Sequence, residues 1–140
     1  MEKVLVAVDG SEQSLKAARL AADIAVRLGA ALRLVHVIPK VPLPADVYGL
    51  KMAELEREHH AYAEGILAKA AAQLERPGLK VETSVLDGAP AERLAEEAAA
   101  PGVGMVVVGS RGHGAVARVL LGSVSDRLVH ISSRPVLVVH

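Results

Sequence analysis

The sequence predicts an α/β protein, a three-layer α/β/α sandwich in which a five-stranded parallel sheet carries helices on both faces. Three observations predict it. Short aliphatic runs alternate along the chain with longer, often Ala-rich segments of helical period. Gly and Pro separate them into the order strand, helix, strand, helix, strand, helix, strand, loop and helix, strand, an order that implies crossover connections between parallel strands. At 140 residues, 51% hydrophobic and 23% charged, the chain is long enough for one core, so a single domain over residues 1–140 is expected.

Residues 4–8 form a β-branched run that stops at Asp9-Gly10-Ser11, as a buried strand ends in a turn. From Leu15 the positions Leu15, Ala18, Ala22 and Ala25, with Leu20, Ile24 and Leu28 beside them, recur at helical spacing. Ser11 is the expected N-cap and Gly29 the stop. Residues 32–38 read as the second strand, closed by Pro39, and Pro42, Pro44 and Gly49 make the following stretch a loop. Residues 52–74 suit a helix that ends before Pro77-Gly78, and residues 81–86 resume a strand up to Asp87-Gly88. Pro90 stands at the first position of a third helix, with Glu92 near its positive end, and that helix runs to about residue 100 before Pro101-Gly102. A strand over 105–108, a Gly-rich segment, a helix over 123–131 and a strand over 136–139 complete the chain.

Composition narrows the functions. Sixteen basic residues balance sixteen acidic ones, and two Tyr with no Phe or Trp leave no stacking platform, so nucleic acid is not an expected partner. The absence of Cys excludes thiolate-held metal, disulfides and cysteine nucleophiles. No apolar run reaches the roughly 18 to 20 residues of a membrane helix, and the N-terminus does not read as a signal peptide, so the expected location is cytoplasmic.

In a parallel α/β sheet ligands bind beyond the carboxyl ends of the strands, which directs attention to Asp9, Ile38, Leu86 and Gly109. The fourth strand runs into Gly109-Ser110-Arg111-Gly112-His113-Gly114, and Gly122-Ser123 opens the next helix. Glycines allow backbone to approach a bulky anion, and a helix start offers N–H donors and a positive dipole end, so a phosphate chain fits. The segment has no P-loop Lys, and Ala117 stands where a dinucleotide fingerprint needs its third Gly. Gly109-x-x-Gly112, nine intervening residues and Gly122-Ser123 instead resemble the nucleotide-binding signature of the ATP-binding branch of the universal stress protein family. The resemblance extends to Val4-Leu5-Val6-Ala7-Val8-Asp9-Gly10-Ser11, to Val35-His36-Val37-Ile38, and to the closing Arg134-Pro135-Val136-Leu137-Val138-Val139.

That resemblance implies an adenine nucleotide alpha hydrolase-like fold with strand order 3-2-1-4-5, ATP as ligand, and a homodimer formed through the last strand. It also implies roles. Asp9 lies near the ribose or a phosphate-bound Mg²⁺, the Val37 backbone meets the adenine edge, and Ala7 and Val8 line the same pocket. Gly109 and Gly112 pass beneath ribose and phosphates, and Gly122, Ser123, Val124 and Ser125 supply donors to the phosphate chain. Arg111 and His113 occupy variable spacer positions within the signature.

Plainer readings stand beside these. Asp9 also suits a turn residue that bonds its own backbone and starts the first helix. His59 and His60 belong to a solvated helix face, since adjacent residues do not face each other, and His36 reads as a hydrogen-bonded core histidine. Ser123 has no oriented base in the pattern and reads as a cap or anion donor, not a nucleophile. The loop from Pro39 to Gly49, with Tyr48, is either a lid or a connector. An exposed final strand favours pairing with a second copy, independently of the resemblance. The leading reading is an ATP-dependent switch or adaptor with an unknown protein partner. The alternatives are a slow ATPase or phosphoryl or adenylyl transferase, and a nucleotide-independent dimeric scaffold.

Overall fold

The computed structural model describes residues 1–40, 50–111 and 122–140. Its elements are β1 (Lys3–Ala7), α1 (Glu12–Leu28), β2 (Ala31–Ile38), α2 (Leu50–Leu74), β3 (Val81–Asp87), α3 (Pro90–Ala98), β4 (Val103–Gly109), α4 (Ser123–Ile131) and β5 (Val136–Val139). The strands pair in parallel in the order β3-β2-β1-β4-β5, as the resemblance implied.

Strand alternation sorts the core into two halves. Val4, Val6 and Val8 point to one face, where they pack with Ala17, Ala18, Ala21, Ala22 and Ala25 of α1 and Leu67, Ala70 and Leu74 of α2. Leu5 points to the other face, with Val35, Val106, Leu94 of α3 and Leu128 of α4. Helices α1 and α2 therefore cover one side and α3 and α4 the other. The chain changes side after β3, so the strand order reverses between β1 and β4, and the carboxyl ends of these two strands flank the crevice.

Most boundaries fall where the sequence puts them, and both caps of α1 have a visible cause. The Ser11 hydroxyl accepts the Ser14 N–H at 3.1 Å, and Gly29 closes α1 at a φ of 66° that a side chain would resist. Beyond shifts of one or two residues at the ends of β2, α2, β3 and α3, three differences bear on the packing. β1 ends one residue earlier than expected, at Ala7. β4 begins two residues earlier, at Val103, because Gly104 is taken up as an irregularity between the Lys3–Val103 and Val4–Met105 pairs, where its missing Cβ leaves room for the Met1 side chain. The third concerns α1: Leu20 and Leu28, expected on its apolar stripe, are 39% and 54% exposed, and the buried stripe is made of Ala and Ser14. Small side chains let the helix lie close on the sheet, a condition Leu could not meet.

Among the described residues no helix is long and apolar enough to cross a membrane.

Candidate functional site

The crevice is assembled from four pieces of backbone. The first is the turn after β1. Asp9 Oδ1 accepts the Ser11 N–H at 2.9 Å, the Asp9 N–H donates to Ser14 Oγ at 3.2 Å, and Ser14 Oγ donates in turn to the Ser11 carbonyl at 3.0 Å. Gly10 makes the bend at a φ of 87°. The turn role read for Asp9 is thus realised, and it fixes the carboxylate at the mouth of β1 beside the start of α1.

The second piece is the end of β2. Ala31 donates to Glu2 on the β1 side and Leu32 to Lys80 on the β3 side, so odd-numbered residues of β2 direct their N–H and C=O groups toward β1. The β1–β2 register ends at Ala7–Val35, with one further bond from the Val8 N–H to Val35 O at 2.8 Å. Val37 is the next odd residue, so its backbone groups point into the crevice beyond the last residue of β1. His36 Nδ1 lies 2.7 Å from Val8 O and donates to it, as a ring nitrogen facing a carbonyl must. This is the hydrogen-bonded role expected of His36.

The third and fourth pieces are the residues leaving β4 and the start of α4. Ser110 is 2% exposed. Its N–H donates to Val139 O at 2.8 Å, and its carbonyl accepts the Gly122 N–H at 2.5 Å and the Ser125 hydroxyl at 3.1 Å. Ser125 Oγ is also 3.1 Å from Gly122 O. The first intrahelical bond of α4 runs from the Asp126 N–H to Gly122 O at 2.9 Å, which leaves the N–H groups of Ser123, Val124 and Ser125 without an intrahelical acceptor at the positive end of the dipole. Ser123 is exposed and Val124 half-buried.

The glycines also have packing duties. A Cβ on Gly109 would stand 3.0 Å from Gln13 Cγ and 3.2 Å from Gln13 O, and one on Gly122 3.3 Å from Ser110 O. Gly112 and His113 lie outside the described residues, as do residues 41–49 with Tyr48, read as a lid or a connector. Arg111 is half-buried where the description of this loop stops.

Sequence reasoning missed two contacts near this end of the sheet. Gln13 Nε2 donates to Val139 O at 2.8 Å, and His60 Nε2 lies 3.2 Å from Asp87 Oδ2 at the end of β3. A polar residue in the first turn of a helix carries no signal of a partner so distant in sequence. His59 is exposed, as expected, and among the described residues no group of three His, Asp or Glu side chains gathers as a metal site.

The universal stress protein family pattern matches residues 1–140. The chain belongs to the universal stress protein family. A universal stress protein of Methanocaldococcus jannaschii is 36% identical over 141 residues, covering 99% of this chain and 81% of the relative. One from Mycolicibacterium smegmatis is 40% identical over 141 residues, covering 98% of this chain, which spans 47% of that relative's length. Among solved structures, a universal stress protein in complex with cAMP is similar with a TM-score of 0.75 and 28% identity, covering 99% of this chain and 96% of the other. The family and the fold are those that the sequence resembles.

Proposed function

We propose that this family member binds ATP in the crevice between β1 and β4, as a nucleotide-dependent switch or adaptor for a protein partner. The observation that carries the reading is the pairing of two unlike subsites at one end of the sheet. Val37 offers backbone donor and acceptor beyond the β1 ladder, suited to an adenine edge, and the first turn of α4 offers N–H groups of Ser123, Val124 and Ser125, suited to phosphate. The cAMP complex of a 28% identical relative supports an adenine nucleotide as the ligand class. Ala7 and Val8 line the base side, Gly109 runs under the sugar, and Asp9 faces ribose or a Mg²⁺ that takes its remaining oxygens from the phosphates. Arg111, Gly112 and His113 follow Gly109 in the sequence signature and complete the proposed set of ligand-binding residues. The Gly122 N–H and Ser125 hydroxyl, both directed at protein carbonyls, shape the turn rather than reach the ligand unless it rearranges.

Further parts of the reading are a single domain, a cytoplasmic location and a homodimer through β5. Strand β5 is an edge of the sheet, and Val136, Leu137 and Val138 are all half-buried, an apolar edge that a second copy would cover.

Calorimetric titration of nucleotide-stripped protein with ATP, with and without Mg²⁺, tests the reading against a Gly122→Asp control. Saturable binding that the acidic side chain abolishes is the expected result. No binding would leave the dimeric scaffold as the better account, and turnover above background that Asp9→Ala removes would favour the slow enzyme.

A further inference from the structure

We infer that Gln13 is a positioning residue that ties the loop leaving β4 to the end of β5, so that nucleotide occupancy is felt at the edge of the sheet. The inference rests on the nucleotide-binding reading above. Its geometry centres on Ser110. The Gln13 side-chain amide donates to Val139 O at 2.8 Å and lies 3.4 Å from Ser110 Oγ, and the Ser110 N–H donates to the same Val139 oxygen at 2.8 Å. That carbonyl therefore has both lone pairs engaged, one by α1 and one by the loop. On its other side Ser110 holds the start of α4 through its carbonyl, which receives the Gly122 N–H and the Ser125 hydroxyl.

The result is a continuous hydrogen-bonded path from the first turn of α4, through a buried serine, to the last residue of β5. Phosphate drawn onto the N–H groups of Ser123 and Val124 would pull on the turn that Ser110 anchors. Ser110 cannot shift without disturbing the Val139 carbonyl that Gln13 also grips. The absence of a side chain on Gly109 is what admits the Gln13 stem, since a Cβ there would stand 3.0 Å from Gln13 Cγ.

The residue type matters at this position. Leu has a similar bulk and no donor. Glu turns an oxygen toward the Val139 carbonyl where a donor is required, and Asn falls one methylene short. A tie that only stabilised the fold would lower the melting temperature and leave communication between the two ends intact. A positioning role predicts that communication is weakened, because coupling between sites is reciprocal and travels through groups that both ends bias.

The experiment compares amide hydrogen exchange, with and without saturating ATP, in the wild type, Gln13→Leu and Gln13→Glu, alongside calorimetry. In the wild type ATP should slow exchange at Ser110 and across residues 137–139. In both variants ATP affinity should fall about threefold to tenfold, the scale of one lost hydrogen bond. ATP should still slow exchange fully at the end of β2 but much less at 137–139, where the Ser110 N–H alone then holds the Val139 carbonyl. Two variants of opposite polarity guard against one that fails to fold. Equal ATP-induced slowing at 137–139 in wild type and either folded variant overturns the inference, as does ATP binding to the wild type with no change there. Absence of ATP binding to the wild type removes the nucleotide reading and this inference with it, a result distinct from the other two.

Discussion

The ring Nδ1 of His36 stands 2.7 Å from the carbonyl oxygen of Val8, joining a side chain of β2 to the backbone just past the end of β1. Only a protonated Nδ1 can donate to a carbonyl, so the contact assigns the proton to that nitrogen. Nitrogen-15 NMR of the neutral ring should place its proton on Nδ1 and not on Nε2. His36→Leu removes the donor and should cost about 1–3 kcal/mol in urea denaturation. If the proposed nucleotide site is right, it should also weaken ATP binding, because Val8 leads directly into Asp9.

Glycines that look alike in the sequence should respond oppositely to alanine. At Gly109 the new Cβ meets the backbone of Gln13 at 3.2 Å and 3.3 Å, and backbone cannot move aside as a side-chain end can. Gly109→Ala should destabilise by about 1–3 kcal/mol. Gly65, exposed within α2, has nothing within 4 Å of an added Cβ, and Gly65→Ala should stabilise by about 0.5–1 kcal/mol by raising helix propensity. Chemical denaturation of the two variants beside the wild type gives both signs.

How much of this was legible in the sequence depends on whether a feature is local. The strands, the Ser11 and Gly29 caps and the Pro90 start follow from neighbouring residues, and the structure has each of them. The turn at Asp9 was legible for the same reason. The Gln13–Val139 contact joins residues 126 positions apart and depends on how closely α1 approaches the ends of β4 and β5, which no local pattern encodes. The burial of alanines instead of Leu20 and Leu28 is of the same kind. Helical period identifies a face, but the distance to the sheet decides which side-chain size that face accepts.

Acid should weaken the sheet at a defined place. A hydrogen bond from the Lys3 ammonium at 3.1 Å, opposed by slight desolvation and aided by the charges of Lys3 and Lys80, holds the Glu82 carboxyl below its ordinary value. Because the folded state favours the ionised form, its contribution is complete above the ordinary carboxylate pKa and is lost as pH falls through the lowered folded value. The pair is partly solvated, so the contribution is under about 1 kcal/mol. Melting temperatures measured from pH 7 down to strongly acidic pH should decline in wild type, and Glu82→Gln should flatten part of that decline while lowering stability slightly at neutral pH.

The alanine face of α1 yields the sharpest contrast in side-chain size. Ala21 is wholly buried against the sheet, whereas Leu20, its neighbour in sequence, is 39% exposed. Ala21→Leu adds three carbons where the helix is held close to β1 and β4, forcing off-rotamer packing or a shift of the whole helix, and should cost about 1–3 kcal/mol. A shift of α1 would also carry Gln13 away from Val139, so on the proposed nucleotide-binding reading this remote substitution should weaken ATP binding as well. Leu20→Lys removes an exposed apolar group from the same turn and should change stability by no more than about 0.5 kcal/mol. Urea denaturation and ATP titration of both variants separate the alternatives. If Ala21→Leu is as mild as Leu20→Lys, the close approach of α1 does not govern which residues it buries.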